Sequence, residues 1–456
     1  MFKIFTNKCS YGIISTNICL EWLKMEYSCE PAGAFLLIDN KSFYATVECT
    51  ERGLDPMTTP LVVMSEAANT GGGLVLASSP MAKKLFHISN VNRKRDLPND
   101  ERLIVVPPRM NLYIEKNLAV NNIFREFVAD EDLLPYSIDE SILDITHSWH
   151  LFGNNLLQVI REIQHTVKDR LHLVTTVGLG NNPLQAKIAL DIYSKHNREF
   201  IGVISNQTVR QRIWIIPEIT DVWGINKRTA KNLARLGIHN MYQLAHADPY
   251  MLKERLGIIG TQLYATAWGI DRTNLQETIL HRDKSLGNSQ VLPKDYSSKE
   301  EIEVVIREIG AQVASRLRAH SKQAGGIYLS VGYSLGIFDE QGKTGFAHSM
   351  KLPCSTAETN TINTQLIYLF EKYWDGISPI RHVGVSCTRL SNRFGEQLNV
   401  FDSPKKNVIR VEDTIDEIRR RFGKTAIVRA NSLKKGGTYI ARSNLVGGHS
   451  GGNSLE

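Results

Sequence analysis

The sequence predicts a multidomain α+β protein built on a ferredoxin-like unit with a segment inserted into it. Three observations predict this class. Between about residue 30 and residue 216, the order is strand–helix, an inserted segment, helix, strand–strand, helix, strand, helix, a βαββαβ unit split after its first helix. From Pro217 the texture changes to short helical segments punctuated by Gly224, Gly237, Gly257 and Gly269. From Ser298 to the low 400s, helical patterns alternate again with strands.

The elements follow in order. Ala34–Asp39 (AFLLID) is a short apolar run ending in an acid, a buried strand. Ser42–Thr50 continues at helical spacing, with Phe43, Val47 and Thr50 on one side. Leu61–Met64 is a second apolar run, and the small residues of Ala67–Gly73 read as a loop. Ala82–Phe86 reads as a helix carrying Lys83 and Lys84. Leu103–Val106 is a strand closed by Pro107 and Pro108, and Asn111–Val128 is a long amphipathic helix. Leu134–Ile145 (LPYSIDESILDI) reads as two strands joined by a tight hairpin around an acidic pair. Leu156–Leu171 is helical, Leu173–Leu179 a β-branched strand, and Asn182–Ser194 a helix with Pro183 near its start. Residues 276–290 are polar and read as a linker. Gly326–Tyr333 and Arg381–Thr388 read as strands of the last unit. Residues 431–456 form a tail, read as mobile from Gly447 because Gly and Ser dominate there. Ordered patterning begins only at about Ala34, so residues 1–30 read as an extension, disordered or not native, with Met25 as an alternative start.

Composition narrows the function classes. Hydrophobic residues make up 42% and charged residues 22% of the 456 positions, which excludes a fully disordered or fibrous chain. Lys and Arg number 54 against 47 Asp and Glu, a net charge of +7. From residue 288 onward the balance is 23 to 17, so +6 of that excess lies in the last unit. Such an asymmetry suits a polyanion backbone, and ion-pair networks could also produce it. Six cysteines are too few for a disulfide framework, and none has C-x-x-C spacing. No apolar run reaches the ~18 residues of a membrane span. Gly12–Leu20, the one stretch resembling a signal segment, is broken by Ser15, Thr16 and Asn17. Sparse, unpaired thiols of this kind fit a reducing cytosol.

Three carboxylates stand out: Asp39 at the end of the first strand, and the adjacent pair Asp139 and Glu140 in the hairpin. A ferredoxin-like sheet sets that strand beside that hairpin, and a twisted hairpin tip lets both acids approach one ligand. Three hard oxygen donors would then converge, which suits Mg²⁺. Two such ions ~3.5–4 Å apart are a known device for phosphoryl transfer. An isolated Asp-Glu pair is more often a solvated turn, so the flanking residues decide.

Asp39-Asn40-Lys41-Ser42-Phe43-Tyr44-Ala45-Thr46-Val47-Glu48 resembles the first motif of Y-family, lesion-bypass DNA polymerases. Tyr136-Ser137-Ile138-Asp139-Glu140-Ser141 resembles their catalytic hairpin, about one hundred residues on. Val177-Gly178-Leu179-Gly180-Asn181-Asn182, with Ala186-Lys187-Ile188-Ala189, is similar to the third signature. The resemblance runs from about 34 to about 430, and the branch it looks like is the bacterial UmuC/ImpB/MucB group. It implies a palm at 31–50 and 106–216, inserted fingers at 51–105, a helix–hairpin–helix thumb at 217–275 and an α+β little finger at 291–430.

The resemblance also implies roles. Asp39, Asp139, Glu140 and the Asn40 backbone carbonyl would hold two Mg²⁺ ions, with Glu140 near the primer 3′-hydroxyl. Phe43 and Tyr44 would face the nucleotide, with Tyr44 as a steric gate against a ribose 2′-hydroxyl. Lys83 and Lys195 would meet the triphosphate. Pro80 departs from the pattern, because many relatives place a phosphate-contacting tyrosine there. Gly224, Ile225, Lys227 and Gly237, in Val222–Lys227 and Leu236–Ile238, would present the thumb hairpin's amides to DNA phosphates. Gln397-Leu398-Asn399-Val400-Phe401 resembles the peptide bacterial polymerases insert into the sliding clamp, with Gln397, Leu398 and Phe401 as its contacts. The expected function is error-prone, template-directed DNA synthesis in DNA repair and SOS damage tolerance. Its partners would be primer–template DNA, deoxynucleoside triphosphates, the clamp and an accessory SOS subunit, with no membrane. A catalytically silent DNA- or clamp-binding regulator would not need the intact acidic trio. A nucleotide cyclase would not need the hairpin thumb, the little finger or the clamp peptide.

Overall fold

The computed structural model describes residues 27–65, 73–277, 284–393 and 406–451. The first unit holds a five-stranded sheet made of β1 (Phe35–Asn40), β5 (Leu133–Pro135), β6 (Glu140–Asp144), β7 (Thr175–Gly180) and β8 (Ile201–Val203). Their order is β5-β6-β1-β7-β8. The first four run antiparallel to their neighbours in the split βαββαβ arrangement expected, and β8 adds a parallel edge strand against β7. Sequence patterning passed over β8, because three residues are too few to show a period.

The helices α1 (Phe43–Thr50), α3 (Met110–Phe124) and α4 (Leu156–Leu171) share one core with the sheet, including Leu36, Val47, Tyr113 and Ile163. The other sheet face receives α5 (Pro183–Ile188). Two glycines allow this. A Cβ on Gly178 would lie 2.0 Å from the Ala186 carbonyl oxygen, and one on Gly180 would lie 2.4 Å from the Ala186 amide nitrogen. The G-L-G of the third motif is thus the floor on which α5 lies. The helix expected over 182–194 does not stay α-helical. After Ile188 it widens into a π-helical turn, Ala189–Tyr193, then tightens into a 3₁₀ turn, Ser194–His196. Such turns shift the facing of every later side chain.

The inserted segment forms a small sheet from β2 (Leu61–Met64), β3 (Val75–Ser78) and β4 (Ile104–Val106), ordered β3-β2-β4, with α2 (Pro80–Phe86) beside it. The Ser79 hydroxyl caps α2 by accepting from the Ala82 amide (3.1 Å). Residues 66–72, most of the stretch read as a loop, lie outside the described residues.

Four short helices follow: α6 (Lys227–Ala234), α7 (Met241–Ala245), α8 (Pro249–Leu256) and α9 (Ile258–Ala267). Asn226, Asn240 and Asp248 cap the first three. The last unit is a four-stranded antiparallel sheet, β9 (Ser285–Tyr296), β10 (Lys322–Tyr333), β11 (Gly345–Thr356) and β12 (Ile380–Asn392), in the order β11-β10-β12-β9. Two helices, α10 (Lys299–Ala319) and α11 (Thr359–Tyr373), share its core.

Two expectations change here. β9 begins at Ser285, inside the stretch read as a linker; it reads as one because only Leu286, Leu292 and Tyr296 of its twelve residues are buried and most of the rest are polar. The glycine-rich end is ordered through Gly451. Leu445–Val446 pairs with His449–Ser450 across Gly447 and Gly448, both at positive φ (60° and 86°), so these glycines serve a tight turn. The Gly451 carbonyl then accepts the Asn111 amide at the start of α3 (2.9 Å). Among the described residues no helix is long and apolar enough to cross a membrane.

Candidate active site

β1 and β6 run side by side, which sets Asp39 opposite Glu140. The Asn40 amide donates to the Asp139 carbonyl (2.9 Å), tying the hairpin tip to the strand end. Ser137 shapes the tip: its hydroxyl donates to Asp139 Oδ1 (2.7 Å) and accepts from the Glu140 amide (3.0 Å). From α3, Asn117 donates to the Ile138 carbonyl (2.8 Å).

These elements open on a cleft of about 1000 Å³. Asp39, Asp139, Glu140, Phe43, Tyr44, Lys83 and Lys195 all line it, so the structure gathers candidates spread over more than 150 residues of chain. Pro80 lines it as well. Phe43 is 3% exposed, chiefly a core residue, whereas Tyr44 is half-buried. Asn40 is buried beside the acids, and its Oδ1 has no hydrogen-bond partner.

The acidic trio does not converge on a single point. Asp39 Oδ2 lies 3.3 Å from Lys195 Nζ, Glu140 Oε1 lies 2.6 Å from Lys187 Nζ, and Asp139 is held by Ser137. Among the described residues, no three Asp, Glu, His or Cys side chains stand close enough to share an ion. The three carboxylates are neighbours in one cleft, and each has its own partner. Like charges held this near repel one another, and each is offset by the donor beside it. Burial pushes the Asp39 carboxyl up, Lys195 opposes this, and Asp139 and Glu140 push it further.

Four lysines line the cleft: Lys41, Lys83, Lys84 and Lys195. Lys83 donates to the Ser42 hydroxyl (3.0 Å), and Lys41 lies over the Phe200 ring (4.6 Å). Burial and then the Lys41 charge lower the Lys83 pKa; burial lowers that of Lys41, partly offset by Asp39. Burial works against charged Lys195, but Asp39 and Asp191 outweigh it and its pKa lies above the ordinary lysine value. Sequence reasoning missed Lys41, Lys187, Asp191 and Ser137. All four sit in or beside quoted motifs, but only the fold shows what they touch.

A buried network backs Tyr44. Its ring stacks on Tyr113 (centroids 4.4 Å apart, planes 14° apart). Tyr113 donates its hydroxyl to Glu48 Oε1 (2.7 Å), and Arg109 grips the same carboxylate with two bonds (2.9 and 2.6 Å). Arg52 completes the set. Burial would raise the fully buried Glu48, but the bonds from Arg109, Tyr113 and Arg52 outweigh it and hold its pKa below the usual value. Glu48→Gln is expected to destabilise the protein by about 3 kcal/mol, by leaving the buried Arg109 without its counter-charge. A depressed carboxylate contributes stability above its unfolded pKa and loses it as pH falls through the folded one. The Tm deficit of the variant therefore shrinks in acid, as thermal melts from pH 7 to pH 3 would record.

The thumb candidates divide. Lys227 and Gly224 are exposed, and Gly224 and Gly237 have positive φ. Ile225 is a core side chain, 2% exposed. The Ile225 amide donates to Val222 O (3.0 Å) and the Gly237 amide to Ala234 O (3.0 Å), so these two N–H groups close their own turns rather than face outward. Gln397, Leu398 and Phe401 lie outside the described residues.

The model of the impB/mucB/samB family matches residues 38–191, and that of its C-terminal domain matches residues 283–400. A Bacillus subtilis (strain 168) chain that carries the name UV-damage repair protein UvrX is 35% identical over 93% of this chain and 99% of its own length. DNA polymerase IV 2 of the same organism is 34% identical over 91% of this chain and 98% of its own. Among solved structures, a Y-family DNA polymerase chimera of Dbh and Dpo4 superposes with a TM-score of 0.62 at 19% identity, covering 78% of this chain and 98% of that one. The fold is therefore that of palm, fingers, thumb and little finger. Sheet, hairpin, acidic cleft and relatives agree: the chain belongs to the Y-family of DNA polymerases, in its bacterial UmuC/ImpB/MucB branch.

Proposed function

We propose that this chain is a DNA-directed DNA polymerase of the lesion-bypass type that acts in DNA repair, with its active site in the cleft of Asp39, Asp139 and Glu140. The observation that carries the reading is the gathering of acids, lysines and a half-buried tyrosine in one cleft of a Y-family fold. The primer 3′-hydroxyl attacks the α-phosphate of a deoxynucleoside triphosphate, and pyrophosphate leaves.

Family membership implies dependence on a divalent metal, and the donor set fits one. Three hard carboxylates and the partnerless Asn40 Oδ1 stand at one strand end. Asp39, Asp139, Glu140 and the Asn40 carbonyl would hold two Mg²⁺ ions. When bound, these lower the pKa of the attacking hydroxyl and offset charge on the leaving oxygen. The chain's own groups do the rest. Lys83, Lys195 and Lys41 neutralise the triphosphate, which suits the loss of a tyrosine at the Pro80 position. Tyr44 underlies the sugar and excludes a 2′-hydroxyl. Lys227, the exposed Gly224 turn and the basic little finger follow the duplex backbone without reading sequence. The domain limits are those stated from the sequence, except that the little finger starts at Ser285 and takes in residues as far as Arg442, since the Thr438 amide donates to Glu308 and Arg442 donates to Gln290.

The test is primer extension with Mg²⁺ on undamaged and abasic templates, beside Asp139→Ala/Glu140→Ala. Short, distributive extension by the wild type alone is expected. No extension, even with a sliding clamp and an accessory subunit added, would favour the silent regulator.

Clamp binding rests on Gln397–Phe401, where Leu398 and Phe401 would fill an apolar pocket and Gln397 would bond at its edge. Replacing Leu398 and Phe401 by Ala should remove at least about tenfold of clamp stimulation, the scale of two lost apolar anchors, and leave clamp-free synthesis unchanged. Equal stimulation would return the segment to an ordinary part of the little finger.

A further inference from the structure

The two lysines that hold the acidic site share a third carboxylate. Lys187 is 8% exposed on α5, and its Nζ lies 2.6 Å from Glu140 and 3.2 Å from Asp191. Lys195 Nζ lies 3.3 Å from Asp39 and 2.9 Å from Asp191. Asp191 sits four residues after Lys187 and four before Lys195, inside the π-helical turn. Each ammonium therefore stands between one acid of the cleft and the same helical aspartate.

We propose that Lys187 is the resident counter-ion of Glu140 in the metal-free protein, and that Asp191 is the positioning residue that sets how readily Lys187 and Lys195 yield Glu140 and Asp39 to a divalent cation. This rests on the acidic-site reading given above. The electrostatic argument is one of competition. A cation entering the cleft must take carboxylates that already have partners. A buried ammonium gives up a carboxylate easily only if another is at hand, because an unpaired buried charge is costly. Asp191 already touches both ammonium groups, so neither is stranded when its cleft acid is withdrawn. Lys187 has a further distinction from the cleft lysines. It does not line the cleft, so its place is behind the carboxylates rather than against a triphosphate.

The two residues should act on metal affinity in opposite directions. Lys187→Met keeps the length of the stem and removes the competing charge, so metal should bind tighter. Asp191→Asn keeps the size and removes the alternative partner, so the lysines stay on Glu140 and Asp39 and metal should bind more weakly. The measurement is Mn²⁺ alone, titrated into the full chain without DNA or nucleotide, with free Mn²⁺ read by electron paramagnetic resonance. Expected shifts in Kd are about three- to tenfold each way, the scale of one neighbouring charge in a partly buried site. In the double variant the Asp191→Asn effect should shrink, because half of what it acts through is gone.

Thermal melts show which variants are folded, and Lys187→Gln replaces Lys187→Met if the latter is not. Shifts of the same sign, or an Asp191→Asn effect that is undiminished in the double variant, would overturn the proposal, since Asp191 would then act only as a distant charge. Mn²⁺ binding that survives Asp39→Asn/Asp139→Asn would overturn the acidic-site reading itself, a separate result.

Discussion

Asp139→Ala/Glu140→Ala is expected to lower single-turnover primer extension by at least about a thousandfold, or ~4 kcal/mol of barrier. The pair supplies two of the three cleft carboxylates, and no other described acid lines that cleft to replace them. The variant should stay folded. Lys187 loses Glu140 but keeps Asp191, so its buried ammonium is not left alone. Asp139 bonds only to Ser137 in the tip, and the backbone ties from Asn40 to Asp139 and from Tyr136 and Ser137 to Glu140 do not depend on the side chains. Affinity for primer–template should not fall, because removing negative charge from a groove that holds a polyanion does not weaken it. Fluorescence anisotropy on a labelled duplex would check that point. Loss of binding together with loss of extension would mean that the hairpin had collapsed. Extension at the wild-type rate would remove both acids from catalysis.

The sequence made the site legible as far as types and order, and less so as contacts. Asp39 and the Asp139–Glu140 pair stood out because strand ends and hairpins are visible as apolar runs closed by polar residues, whereas Tyr44, on a helix, was marked only by the resemblance of its motif to the family's. The glycines of the third motif were visible, but their reason was not: only the fold brings Ala186 within 2.0 Å of where a Gly178 side chain would start. Lys187 and Asp191 had no local signal, since a Lys–Asp pair four apart on a helix usually lies in solvent. The π-helical turn that carries Asp191 has no composition cue either. β9 and the Gly447–Gly448 turn failed for a different reason. Both are polar or glycine-rich, and composition alone does not separate a linker from a strand with few buried positions, or a mobile tail from a tight turn. The lesson is specific to shape. Residue type announces chemistry, while register and close approach decide which charges meet.

Tyr44→Ala is expected to raise ribonucleotide relative to deoxynucleotide insertion by about a hundredfold, some 2.7 kcal/mol of discrimination. A gate excludes a 2′-hydroxyl only if its ring does not move aside. Here the ring is backed by Tyr113 in a face-to-face stack, and Tyr113 is fixed through its hydroxyl to the buried Glu48, which Arg109 and Arg52 hold in turn. The stack and the charged bonds behind it make yielding costly, so the clash is converted into lost insertion rather than relieved. Deoxynucleotide insertion should fall by less than about tenfold, because the ring supplies exclusion more than binding. Tyr44→Phe keeps the ring and its stack, and should keep nearly all of the discrimination. Single-nucleotide insertion kinetics with matched ribo- and deoxyribonucleotides would measure both variants. Sugar selectivity unchanged in Tyr44→Ala would take Tyr44 out of the gate, and an equal loss in Tyr44→Phe would move the selectivity from the ring to its hydroxyl.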